Sequence, residues 1–328
     1  MPTKTVRRAR GTTTKHTRPR DRALAYPAPA VAGVARPVLI ATDGSRVAGS
    51  AIRLAKIMAD AGEWAPEIVT VFEPLPVSVA ELTLAAPTPA YLQGVTDSLL
   101  ALIESQVRRA GGADWRLSVE FGRAASGIAR VAEERAAEMV IVGLGEHGKL
   151  ARMFGAETAA RVMRHVHVPL MAVAFGERRR PFTAVAAVDF GESSVRAVRE
   201  VYALLQAPGR LHMVHVRSRL SAIAPFEGAE SDAMYGAAVA HGFERVKREL
   251  GHRPGIEITS EVRRGSVVES LLKATTRVRA DVIAVGSHSQ HVIDRLLIGS
   301  TPAHLLRAAR CSVLVAPPVQ SPSPVTSH

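Results

Sequence analysis

The chain has 328 residues, 47% of them hydrophobic, with a single cysteine and a formal net charge of +12. That length holds two domains of ordinary size with a core apiece; the lone Cys311 excludes an internal disulfide framework and suits a reducing compartment; and no apolar run nears the roughly 20 residues that span a bilayer. The charge is no nucleic-acid signature once located, because nine basic residues against Asp21 alone give residues 1–36 a net +8.

Residues 1–36 are rich in Arg, Thr, Pro and Ala and offer too little apolar surface to offset their chain entropy, so they read as a disordered basic tail. Its reach extends to weak, salt-sensitive contact with a polyanion. Pro27 and Pro29 interrupt the apolar stretch that a secretory signal needs, and the expected location is cytoplasmic. Val38 to Thr42 then reads as a strand, Asp43-Gly44-Ser45 as a turn, and Val47, Ala51, Leu54, Ala55 and Met58 as the inner face of a helix. A second strand is expected over Ile68 to Phe72, a helix from about Leu92 to Arg109, a strand over Trp115 to Phe121 and a helix from about Ser126 to Ala137. Met139 to Val142 forms the fourth strand, a helix follows near Glu157 to Arg164, and Pro169 to Val173 forms the fifth.

The order then repeats. Gly122, Gly143, Ala156 and Pro169 recur 143 residues later as Gly265, Gly286, Gly299 and Ser312, and Asp43 and Ala51 recur 146 later as Asp189 and Ala197. So long a period is a duplicated domain rather than a solenoid unit, and each copy is expected to fold around its own core. The second copy's strands are Ala184 to Val188, Leu211 to Val216, Ile256 to Val262, Val282 to Val285 and Ser312 to Ala316. Alternating strands and helices imply an α/β fold: two tandem doubly wound, Rossmann-like domains, each with a mainly parallel five-stranded sheet. The divisions are a tail over 1–36, a first domain over 37–175, a connector over 176–181, a second domain over 182–317 and a short tail over 318–328. In such sheets ligands bind beyond the carboxyl ends of the strands, which directs attention to the turns after strands 1 and 4 of each copy.

In the second copy those turns hold Asp189, the run Gly286-Ser287-His288-Ser289, and Gly299-Ser300-Thr301. Together with the stretch 280–287 and the Cys-Ser-Val-Leu-Val ending at 311–315, they make the chain resemble the universal stress protein family over nearly all of residues 37–317. Nucleotide-binding members of that family follow the last long strand with Gly, two residues, Gly, nine residues, and Gly-Ser or Gly-Thr. The resemblance implies that ATP, with or without magnesium, is held mainly by the second domain, and that the protein is a stress-response regulator or scaffold. It implies further that the copies pair through their last strands as a pseudo-dimer, and it leaves room for homo-oligomers.

By that mapping Asp189 holds the ribose or adenine side and the backbone of Val216 contacts the adenine. Gly286 allows close approach, His288 and Ser289 border the phosphates, and Gly299, Ser300 and Thr301 present amides and hydroxyls at a helix start. Ser289 stands where the family has glycine, and a positive φ there costs about 1 kcal/mol. The matched positions in the first copy are Gly143, Glu146, Ala156 and Glu157. Two carboxylates at the phosphate place argue against ATP there, since like charges 4 Å apart repel by about 1 to 4 kcal/mol. Asp43 is left as a cap for its turn.

Other readings compete. One is a nucleotide-independent interaction protein with both sites decayed; slow ATP hydrolysis is another, without an identifiable base. Gly143-Leu-Gly145-Glu-His-Gly148 spells the dinucleotide fingerprint, but it follows the fourth strand, and no acidic residue closes a second strand about 20 residues on. A Walker loop through Gly143, Gly148 and Lys149 fails because Leu150 replaces the hydroxyl residue. The close pairs His165 and His167, His212 and His215, and His288 and His291 lack acidic or cysteine partners for a metal, and alternation sends His212 and His215 to opposite sides of a strand. The sequence points to no catalytic residue.

Overall fold

The computed structural model describes residues 35–73, 88–111, 115–145, 151–217, 229–287 and 300–319. In the first copy these form β1 (Arg36–Ala41), α1 (Ala48–Asp60), β2 (Trp64–Phe72), α2 (Pro89–Arg109), β3 (Arg116–Phe121), α3 (Ala124–Glu134), β4 (Met139–Leu144), α4 (Ala151–Met163) and β5 (Leu170–Ala174). The second copy supplies β6 (Thr183–Ala187), α5 (Glu192–Leu204), β7 (Gly209–Arg217), α6 (Ala229–Leu250), β8 (Ile256–Arg264), α7 (Val267–Val278), β9 (Val282–Gly286), α8 (Ser300–Ala308) and β10 (Ser312–Ala316).

Local chemistry explains several boundaries. The Thr88 side chain accepts from the Tyr91 amide and Pro89 follows it, fixing the start of α2. Ser266 does the same for α7 through the Glu269 amide. Arg36, assigned to the tail by its surroundings, opens β1 instead: its amide donates to the Glu63 carbonyl, and its side chain is held by Glu138 and Glu200. Pro318 and Val319 are likewise docked, as Arg196 donates to the Pro318 carbonyl and the Val319 amide to Glu192.

All strands lie in one ten-stranded sheet of order β3-β2-β1-β4-β5-β10-β9-β6-β7-β8. Neighbours are parallel except at the seam, where β5 and β10 run antiparallel with Val313 opposite Ala172, Leu314 opposite Met171 and Val315 opposite Leu170. Met171 and Leu314 are matched residues of the two copies, so a pseudo-twofold axis passes between them. The resemblance anticipated this pairing.

The cores do not follow the copies. Val38 and Ile40 join α1, α2, α5 and α6 in one buried cluster, while Leu39 and Ala41 join α3, α4, α7 and α8 in another. Strand alternation sorts side chains by sheet face, and because the seam makes the sheet continuous, each face carries one core across both copies. The expectation of one core per copy is corrected on that ground.

Candidate nucleotide site

Within each copy the strand order reverses between the first and fourth strands, at β1 and β4 and again at β6 and β9. Parallel strands end on the same side, so the turns after them share a crevice. In the second copy β6 pairs with β9 through Ala186 and Ala284, and with β7 through Ala187 and Val214. These registers run on to bring Asp189 level with Val216 and Ser287. Three of the residues singled out from the sequence, Asp189, Val216 and Gly286, thus meet at one end of the sheet.

Asp189 folds the turn beneath it: its Oδ1 accepts from the Gly191 amide at 2.9 Å, as Asp43 Oδ1 accepts from the Ser45 amide in the first copy. Val216 is half-buried and packs on the α7 side of the sheet. Gly286 has a different duty from the one its sequence context suggests. A Cβ there would lie 2.5 Å from Ser193 Oγ and 2.8 Å from the Ser194 amide nitrogen, so the missing side chain lets β9 touch the start of α5. Gly143 has the same duty, since its Cβ would lie 2.8 Å from the Ala48 backbone. Helix packing therefore accounts for the glycine that both copies share. Thr301 is half-buried in the first turn of α8, which opens at Ser300. His288, Ser289 and Gly299 lie outside the described residues.

In the first copy a helix packs close to the end of β4. α4 opens at Ala151, six residues ahead of Glu157, the match of Ser300. Gly155 comes so close to the loop after β4 that a Cβ would be 3.0 Å from the Gly145 nitrogen, and Ala156, in the place of Gly299, is buried. Glu157 does not face a phosphate position as the alignment suggested. It reaches Arg307 of α8 at 3.4 Å and Arg161 at 3.9 Å, in the contact between the copies. Glu146 and the rest of the fingerprint from His147 onward lie outside the described residues.

His212 and His215 do point to opposite faces, and each is buried with hydrogen-bonding partners. His215 Nδ1 meets the Val188 carbonyl at 2.7 Å and Nε2 the Tyr235 hydroxyl at 2.6 Å, with the Phe190 ring stacked 5.1 Å away. His212 meets Thr259 and Glu261. Sequence reasoning missed these clusters because their members come from different elements. The one available signal was alternation along β7. Burial pushes the Cys311 thiol up to about 12, which leaves it inert. Among the described residues no three of His, Cys, Asp and Glu gather as metal ligands, and no helix is long and apolar enough to cross a membrane.

Residues 35–174 and 183–317 each match the model of the universal stress protein family. A universal stress protein from Archaeoglobus fulgidus DSM 4304 superposes with a TM-score of 0.58 at 16% identity, covering 86% of this chain and 98% of its own. A putative universal stress protein from Pseudomonas aeruginosa UCBPP-PA14 gives 0.55 at 15% identity, covering 87% and 94%. A universal stress protein solved in complex with cAMP matches 42% of this chain and 96% of its own at 21% identity, with a TM-score of 0.31. No curated protein matches the sequence.

Proposed function

Because the chain belongs to the universal stress protein family, as a tandem member with two domains, we propose that it binds ATP or a related adenine nucleotide mainly in its second domain and acts as a stress-response regulator or scaffold. The observation that carries this reading is where the ends of β6, β7 and β9 lie in the second copy. Asp189 and Val216 stand level at the carboxyl ends of β6 and β7, and β9 ends beside them. In the first copy α4 is laid against the Gly145 nitrogen, and a buried Ala156 replaces Gly299. In this reading the phosphate lies against the backbone amides around Gly299 and Ser300, where a helix start would favour an anion. In this scheme Asp189 and Val216 orient the nucleoside, while Gly286 acts indirectly by seating α5.

Titration calorimetry of the full chain with ATP tests the reading. Binding to a second-domain site is expected, weakened at least about tenfold by Gly299→Glu, which would set a carboxylate against the nucleotide phosphates. No heat at millimolar ATP, or equal binding by the variant, would overturn it. The competing reading, an interaction protein that needs no nucleotide, draws support from the packing duty of Gly286, since helix contact alone requires that glycine.

A further inference from the structure

The first copy holds a cavity of about 410 Å3 on the face covered by α1 and α2. Arg46 before α1, Arg53 on α1, Arg109 at the end of α2 and Arg178 in the connector all line it, and among the described residues no carboxylate does. The wall is built rather than loose. Gln106 donates to the Ser45 carbonyl at 2.6 Å and accepts from Thr42, while Arg53 donates to Ser50 Oγ at 2.8 Å. Ser50 Oγ also accepts from the Gly176 amide, which fastens the connector to α1. Burial and the charge of Arg178 both push the Arg53 pKa down, and no acidic group offsets them. Elsewhere the chain neutralises such side chains, as with Arg36 by Glu138 and Glu200 and Arg180 by Glu63.

The second copy serves as the internal control for the turn after β1 and for α1, whose positions have matches 146 residues later. Gly44, at φ 77, becomes Phe190, which accepts the same left-handed backbone at φ 64 and packs its ring against His215 and Phe243. Gly49 becomes the buried Val195. Arg46 becomes Glu192, and Arg53 becomes Arg199, which is paired with Glu249 at 2.6 Å. Bulk and carboxylates therefore occupy in one copy the volume that glycines and uncompensated arginines leave open in the other.

We propose that this cavity of the first copy binds a small molecule bearing two or more phosphoryl groups. Guanidinium forks pair with phosphate oxygens in bidentate fashion, the volume lies within the range of small-molecule sites, and four converging cations exceed what one monoanion neutralises. The phosphoryl groups belong either to a free oligophosphate or to a nucleotide. This site is separate from the second-domain crevice, and either can fail without the other.

The full chain carrying Gly299→Glu, which disables the second-domain site, is titrated with inorganic tripolyphosphate and, separately, with ATP. One tripolyphosphate per chain is expected. Its affinity should fall at least tenfold in Arg46→Glu/Arg109→Ala, where both side chains are exposed and the fold is spared. It should fall comparably in Gly49→Val, which fills the cavity as Val195 does and keeps every arginine. Unchanged thermal midpoints establish that each variant is folded. ATP binding more tightly than tripolyphosphate identifies a nucleotide as the occupant; equal or weaker binding identifies the free oligophosphate. Absence of binding at millimolar tripolyphosphate overturns the proposal. So does binding that survives the double variant, which belongs to the basic tail, and so does a loss confined to the charge variant, which is unspecific surface attraction.

Discussion

Glu261 shows how single residues in this chain acquire properties that no local pattern announces. Its Oε1 lies 3.1 Å from His212 Nε2, 2.8 Å from Arg263 Nε and 2.7 Å from Arg277 Nη2. Burial works to raise its pKa, but hydrogen bonds from Arg263, Arg277 and His212 prevail and hold it at about 2, against an ordinary value of 4.5. The folded state therefore prefers the ionised form. That preference stabilises the protein fully above pH 4.5 and is lost as pH falls from there towards 2. Glu261→Gln should cost about 2 kcal/mol at pH 7, and the gap to wild type should narrow by half or more at pH 3. Urea denaturation at the two pH values measures it; a gap independent of pH would show that packing, not charge, is what the glutamate supplies. Alternation along β7 told that His212 and His215 part company, but Thr259, Glu261 and Arg277 lie 47 to 65 residues from His212 in sequence, and only the fold assembles them.

Elements were legible where hydrophobic pattern and tertiary environment agree. β10 spans Ser312–Ala316 as its apolar run Val313 to Ala316 indicates, and its one polar side chain, Ser312, is buried and accepts from the Ala174 amide. β2 was read four residues short, since Pro66 argues against a strand. Its pairing with β3 begins only at Glu67, so the missing amide of Pro66 falls where β2 has a single neighbour. α4 was read six residues short, because its first turns run through the glycine-bearing stretch that resembles a loop and are held by contact with Gly145. Of the residues singled out for a site, Asp189, Val216 and Gly286 lie at one end of the sheet, as strand order alone implied, whereas the packing role of Gly286 needed the position of α5. Between elements, Arg36 ties the start of β1 to α5 through Glu200 at 2.8 Å, with both side chains mostly buried. Burial opposes the arginine's charge, yet Glu200 and Glu138 keep its pKa raised. A double-mutant cycle on Arg36→Ala and Glu200→Ala should return a coupling of about 1 to 3 kcal/mol. A coupling near zero would mean that this ion pair adds nothing to the joining of the copies.

At the scale of the molecule, the two copies are arranged as a symmetric dimer whose halves share one chain. The outer edges of the sheet are guarded by charge, with Arg116 and Glu120 on β3 and Glu257, Glu261, Arg263 and Arg264 on β8. The inner strands β5 and β10 carry none, and every side chain of β10 is buried. An apolar strand of that kind left without a partner is a pairing surface. Separating the copies would expose it along with half of each core. The pseudo-twofold through Met171 and Leu314 makes the geometry self-complementary, so a second copy of the same domain can replace the missing one with Leu314 opposite Leu314. Residues 182–319 produced alone should therefore form a homodimer at micromolar concentration. Leu314→Arg, which would bury an unpaired charge at the seam at a cost of several kcal/mol, should return it to monomer or unfold it. Sedimentation velocity with circular dichroism on both fragments decides the matter. A folded, monomeric wild-type fragment would show that the seam adds contact without being needed to satisfy β10, and that the duplicated domain is self-sufficient after all.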